Sequence, residues 1–287
     1  MSTIEIKNLS KRYGKVQALK NVSITFSSNQ IYGLLGRNGA GKTTLLNILT
    51  NRIFGDQGEV LIDTESAVEN DSAQEKIFYM TEKNLYPTET KVKDAFKLTS
   101  RFYPAFSMEE ARRLSEKFDL ETSKKIDGLS TGYKSIFKLI LTLSANTPIL
   151  LFDEPVLGLD AKHREMFYKE LIAHYGEHPK TIVLSTHLIS EIAELLEQVV
   201  IIKAGEILLS QPVEQILQLA YTVSGLQEKV DQYAQGKPVL REESLGKYKA
   251  TTVYQKWGSQ DRETISQLGL DITPPKLQEL FISLTSS

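Results

Sequence analysis

The sequence predicts an α/β protein. A mostly parallel sheet is preceded by an antiparallel β subdomain, interrupted by an inserted helical subdomain, and followed by a small α+β C-terminal extension. Three observations carry this. Two apolar runs, PILLFDEP and TIVLSTH, bracket the helical pattern DAKHREMFYKELIAHYG, the spacing of a right-handed parallel crossover. The first thirty residues alternate apolar and polar residues, as half-buried strands do. Residues from about 85 to 145 are rich in Lys, Glu, Ala and Leu and read as helices.

Taken in order, STIEIKNLSKRYG and VSITF are strands, and QIYGLL is a short buried strand ending at Gly36. KTTLLNILTNRI has helical spacing and EVLID is a further strand. SMEEARRLSEKFDL and YKSIFKLILTLSAN belong to the helical insertion. QVVIIKAGEILLSQP reads as a hairpin turning at Ala204 and Gly205. From about residue 211 the pattern is shorter and less regular. KPVLREES and YKATTVYQKW are candidate strands, and PPKLQELFISLT is a closing helix that starts after proline. These patterns place a main domain at 1–210 and a small accessory domain at 211–287.

Composition narrows the function classes. The chain has 287 residues, 41% hydrophobic and 24% charged, with a net charge of −2, which speaks against a nucleic-acid binder. It has no cysteine, which excludes disulfides and thiolate metal sites. The opening residues carry no apolar core of signal-peptide length, and no apolar run approaches a membrane span. If the protein acts at a membrane, another chain must supply the spanning helices.

GRNGAGKTT fits the phosphate-loop pattern and points to a P-loop NTPase core. Gly36, Arg37, Asn38, Gly39, Ala40, Gly41, Lys42, Thr43 and Thr44 form the candidate nucleotide cradle. Its glycines let backbone amides approach phosphate oxygens, and the following helix adds its positive end. Lys42 is expected to reach the β- and γ-phosphates, and the Thr43 hydroxyl to hold Mg²⁺. ILLFDEP ends a buried strand in two carboxylates. Asp153 is then a metal ligand, directly or through water, and Glu154 the general base for an attacking water.

This set resembles the ATP-binding cassette (ABC) family, the engine subunits of membrane transporters, over residues 3 to about 210, with the landmarks in order. The resemblance makes Tyr13, in KRYGK, the adenine-stacking residue. It makes Gly158 to Asp160 the loop facing a partner subunit, and His187, in STH, the switch that senses the γ-phosphate. It also makes LSTGY the signature segment, where the family usually has Leu-Ser-Gly-Gly-Gln. The altered letters are Thr131 and Tyr133. Ser130 keeps its hydroxyl and Gly132 its close backbone approach, so the phosphate-touching letters survive. A second departure is Glu82, where the family usually has a glutamine. Its carboxylate can still bind Mg²⁺ or water, and nearby Glu75 competes for the same alignment.

What the resemblance implies follows the family. Two cassettes, as a homodimer or heterodimer, clamp ATP and Mg²⁺ between the phosphate loop of one and Ser130 and Gly132 of the other. Each docks on a transmembrane permease through the surface between the phosphate-loop region and residues 85 to 110, at the cytoplasmic face of the membrane. The motif mix resembles small exporter cassettes for peptides or antimicrobials. Two alternatives remain open at this level: a soluble cassette ATPase, or a regulatory subunit that binds ATP with little turnover.

Overall fold

The computed structural model describes residues 2–83 and 85–286. The chain divides into two compact units, Met1–His187 with Val200–Ser210, and Leu188–Val199 with Gln211–Ser287. The second unit thus takes an internal segment that the sequence patterns had left with the first.

The first unit opens with β1 (Ile4–Tyr13) and β2 (Val16–Phe26), a long antiparallel pair. Next come β3 (Ile31–Leu35), α1 (Lys42–Leu49), β4 (Gln57–Ile62) and β5 (Glu65–Ser66). Short α2 (Asp71–Gln74) leads to β6 (Ile77–Met80). Strands β1, β2, β4 and β5 form one antiparallel sheet. The helical insertion holds α3 (Val92–Phe102), α4 (Met108–Lys117) and α5 (Thr131–Ser144). Each buries an apolar stripe, such as Ile136, Phe137, Leu139 and Ile140 on α5. β7 (Ile149–Asp153), α6 (Ala161–Glu177) and β8 (Thr181–Thr186) then make the expected parallel crossover.

The main sheet runs β6, β7, β8, β3 and continues through β9 (Gln198–Lys203) and β10 (Glu206–Pro212), with β9 beside β3. β3, β7 and β8 are buried along their whole length, as strands covered on both faces must be. Their carboxyl ends therefore emerge together, with Asp153 directly opposite Ser185. Glu170 of α6 is buried and accepts from Arg113 of α4 at 2.5 Å and from Lys117, which ties the insertion to the crossover helix. Among the described residues, no helix is long and apolar enough to cross a membrane.

The second unit includes α7 (Ile189–Ile192) and α8 (Val213–Leu217). β11 (Tyr221–Leu226), α9 (Gln227–Ala234), β12 (Val239–Leu245), β13 (Tyr248–Val253), α10 (Ser259–Leu268) and β14 (Asp271–Thr273) follow, and α11 (Leu277–Ser286) closes the chain. The strand–helix–strand–strand–helix–strand order, with sheet order β12-β13-β11-β14, is a ferredoxin-like arrangement. Its core packs Val223, Val230, Val253, Ile265 and Leu270 around Tyr221 and Tyr233. Asp261 accepts there from Tyr233 at 2.7 Å, Lys237 at 2.7 Å and Tyr221 at 3.2 Å. Removing a shared acceptor strands every donor it served. Asp261→Ala is therefore expected to destabilise the second unit by about 3 kcal/mol. Hydrogen exchange should show lost protection in β11, α9 and α10 and unchanged protection in β3, β7 and β8.

Candidate functional site

The phosphate loop joins β3 to α1, where an apolar strand ends in glycine and a helix starts at Lys42. Gly41 caps the helix at φ 113°, and a Cβ there would lie 2.6 Å from the Ala18 carbonyl oxygen. Only glycine fits that turn without strain. Arg37, Asn38 and Gly39 form the exposed tip, while Gly36 and Ala40 are buried. The turn between β9 and β10 braces the loop from outside, because Gly205 N–H donates to the Ala40 carbonyl at 3.0 Å. Thr44 is half-buried on the first turn of α1.

Lys42 is 7% exposed. Its ammonium donates to the Gly36 carbonyl at 2.7 Å and points to that of Arg37 at 3.4 Å. Burial pulls it below the ordinary lysine value, and Glu154 and Asp153 pull partly back. Asp153 is buried at the end of β7, where three hydroxyls donate to it. Thr43 reaches Oδ2 at 2.8 Å, Tyr79 reaches Oδ2 at 3.2 Å and Ser185 reaches Oδ1 at 2.9 Å. Burial first, then the neighbouring carboxylate, pushes the Tyr79 phenol well above the ordinary tyrosine range, so it stays a donor.

Glu154 follows with φ 48°, a left-handed conformation that costs a non-glycine residue energy. Its two oxygens are both held. Thr186 donates to Oε2 at 3.0 Å, and His187 Nδ1 lies 2.9 Å from Oε1. The structure thus brings Lys42, Thr43, Asp153, Glu154 and His187 to the carboxyl end of one sheet. Tyr13 is 48% exposed at the end of β1, with Lys11 Nζ 5.6 Å from its ring centre.

Ser130 caps α5, accepting from the Tyr133 amide at 3.3 Å. No hydrogen bond among the described residues joins Ser130 to the phosphate loop of its own chain. Gly132 is close-packed: a Cβ there would sit 3.0 Å from the Gly158 carbonyl oxygen. Ser135 donates to the Leu157 carbonyl at 2.8 Å, which ties the loop after Glu154 to the first turns of α5. Asp160 caps α6, accepting from the His163 amide at 2.9 Å. That bond, followed by the one from the His163 ring, lowers its carboxyl pKa. Glu82 is exposed just past β6, and its backbone carbonyl accepts from Lys138 of α5. No hydrogen bond among the described residues brings its carboxylate to Thr43 or Asp153. Asn84, two residues on in the same segment, lies outside the described residues.

The sequence assigns no role to Tyr79, Ser185 or Thr186, because each acts across the sheet. Parallel register places Ser185 opposite Asp153 and Tyr79 opposite Leu151, on the same face. Only the strand pairing, not any local motif, signals them.

Comparison with known proteins fixes the family. The ABC transporter family profile matches residues 19–157. The ABC transporter ATP-binding protein YtrB of Bacillus subtilis (strain 168) is 32% identical over 196 residues, covering 68% of this chain and 67% of that protein. The chain belongs to the ABC transporter family. A solved ATP-binding subunit of an ABC transporter shares the fold with a TM-score of 0.68 at 22% identity, over 74% of this chain and 91% of that one. The dimeric bacterial ABC transporter cassette MJ0796 gives a TM-score of 0.65 at 29% identity, over 73% of this chain and 98% of that one. A post-hydrolysis state of that cassette holds ADP and Pi. The ABC relatives include a lipopolysaccharide export protein of Haemophilus influenzae and a petrobactin import protein of Bacillus subtilis, each 29% identical. As a member of this family the chain is an ATP-binding subunit and an ATPase.

The Gly41 geometry makes a direct prediction. Gly41→Ala should lower ATP affinity about tenfold or more, because strain and a backbone clash distort the cradle. Equilibrium nucleotide binding checks it, with thermal melting to establish that the variant folds.

Proposed function

We propose that this chain powers transport as one half of a cassette pair, binding and cutting ATP beside a membrane permease. The observation that carries the reading is the convergence of Lys42, Asp153, Glu154 and His187 beside the phosphate loop.

The metal fits the donor set present. Thr43 and Asp153 offer a hydroxyl and a carboxylate oxygen 2.8 Å apart. No group of three His, Cys, Asp or Glu converges among the described residues. Such a sparse set of hard oxygens suits Mg²⁺, which keeps several waters and takes phosphate oxygens. Thr43 and Asp153 would hold the ion, and Glu82 is the further carboxylate that the sequence offers for it. The ion neutralises charge on the β- and γ-phosphates.

This chain's own groups do the rest. Lys42 leaves the loop carbonyls for the β- and γ-phosphates. The phosphate-loop amides surround the same oxygens. Tyr13 stacks on the adenine, a contact worth about 1–3 kcal/mol by analogy with base stacking. Glu154 accepts a proton from the attacking water. Thr186 and His187 hold both of its oxygens, so the carboxylate is aimed before substrate arrives. His187 also faces the γ-phosphate and reports its presence.

Ser130 and Gly132 serve the nucleotide on a second cassette. The tip of α5 presents its N-terminal dipole there, and Asp160 lies in the loop facing the partner. A stabiliser supplied in trans completes the charge environment only on docking, so ATP joins the pair and hydrolysis releases it. The permease docks at a cavity of about 690 Å³ lined by Arg52, Phe78, Leu85, Tyr86 and Phe102, among others. Leu85 and Phe102 are exposed there. On this reading the subunit works at the cytoplasmic face of the membrane. Export of a peptide or antimicrobial is the proposed direction, on the exporter-like motif mix; the relatives span export and import and support transport without separating the two.

The test compares wild type with Glu154→Gln. Wild type should turn ATP over, and the variant should fall about 100-fold or more while keeping ATP affinity. The variant should also accumulate as an ATP-dependent dimer in light scattering. Equal and negligible turnover in both, with the co-expressed permease present, would overturn the engine reading.

A further inference from the structure

Tyr79 stands between the docking cavity and the metal carboxylate. Its hydroxyl donates to Asp153 Oδ2 at 3.2 Å. Its ring is 7% exposed and lines the cavity of about 690 Å³. On that ring lies the Arg52 guanidinium, 4.9 Å from the centroid. Asp153 has another donor on each oxygen, Ser185 on Oδ1 and Thr43 on Oδ2.

These donors are not equivalent once nucleotide is bound. A hydroxyl meets a cation through an oxygen lone pair, so Thr43 would serve the ion while its proton stays on Oδ2. Tyr79 is the donor on that oxygen that would not itself touch the ion. Its hydrogen bond fixes which lone pair faces the cation. The ring cannot supply that aim unless it is itself held, and Arg52 holds it from the cavity side. We infer that Tyr79 is a positioning residue that aims the Asp153 carboxylate, and that Arg52 clamps its ring from the docking cavity. The inference rests on the ATP reading above. It adds a physical link by which the wall of the cavity bears on the metal ligand.

Outer partners of metal ligands typically contribute 10–100-fold in metal affinity. The experiment titrates Mn²⁺ by electron paramagnetic resonance into the full chain saturated with a non-hydrolysable ATP analogue. Tyr79→Phe should weaken Mn²⁺ about tenfold or more, with metal-free nucleotide affinity unchanged. Arg52→Ala, at an exposed position, should weaken it by a smaller factor. In the double variant Arg52→Ala should add nothing, because the hydroxyl it steadies is gone. Mn²⁺ affinity of Tyr79→Phe within about twofold of wild type would overturn the inference. So would a parallel loss of metal-free nucleotide binding, which marks a structural role. Fully additive effects of the two substitutions would overturn the clamp. If Tyr79→Phe does not fold, an unchanged Mn²⁺ affinity in Arg52→Ala overturns it alone. Wild type that binds no nucleotide would overturn the parent reading, and with it this one.

Discussion

A single buried carboxylate, Asp153, fastens three parts of the first unit. Thr43 brings in the phosphate-loop helix, Ser185 the neighbouring strand and Tyr79 the strand beyond. A charge at 6% exposure is tolerable only when its lone pairs are satisfied. The three hydroxyls meet that demand without a cation. The sheet therefore holds the carboxylate in place through hydroxyls of its own chain. The same carboxyl end of the sheet delivers Glu154 and His187, so geometry set by buried strands becomes geometry at the reacting phosphate.

The altered signature segment is explained by the same logic of contact. Thr131 packs against Gly158, its methyl 3.1 Å from where a Cβ on that glycine would stand. Gly132 closes on the Gly158 carbonyl, and Ser135 holds the Leu157 carbonyl. The letters that depart from the family pattern thus include one that faces inward, toward the loop after Glu154. Ser130 caps the same helix through the Tyr133 amide. The helix tip is thus braced by the loop of its own chain.

Contiguous chemistry was legible in the sequence, and chemistry assembled across strands was not. GRNGAGKTT and ILLFDEP are contiguous strings, and the structure brings Thr43 of one within 2.8 Å of Asp153 of the other. The hairpin at Ala204 and Gly205 was readable because both residues adopt positive φ in a two-residue turn. Tyr79 and Ser185 depend on strand register, which no local pattern states. The ferredoxin-like order of the second unit was hidden for another reason. β12 and β13 read as candidate strands, but β14 has only three residues, all exposed, too few to show the alternation of a half-buried strand. The segment Leu188–Val199 was likewise assigned by continuity, whereas contacts place it in the second unit.

Lys42 shows why this arrangement favours a polyanion. The ammonium is buried, and its closest partners are backbone carbonyls. Carbonyl dipoles solvate a cation but do not neutralise it, which is why burial still lowers its proton affinity. Asp153 and Glu154 act on it from a distance, since each has its oxygens committed to hydroxyls or to His187. The site therefore keeps a positive charge that its own carboxylates leave under-compensated. Loop amides and the end of α1 add to the same field. A polyanion seated on the loop would relieve this imbalance. A ligand whose charge changes on reaction meets such a site with a different affinity before and after, and such a difference is what a ligand must supply to drive a change of state.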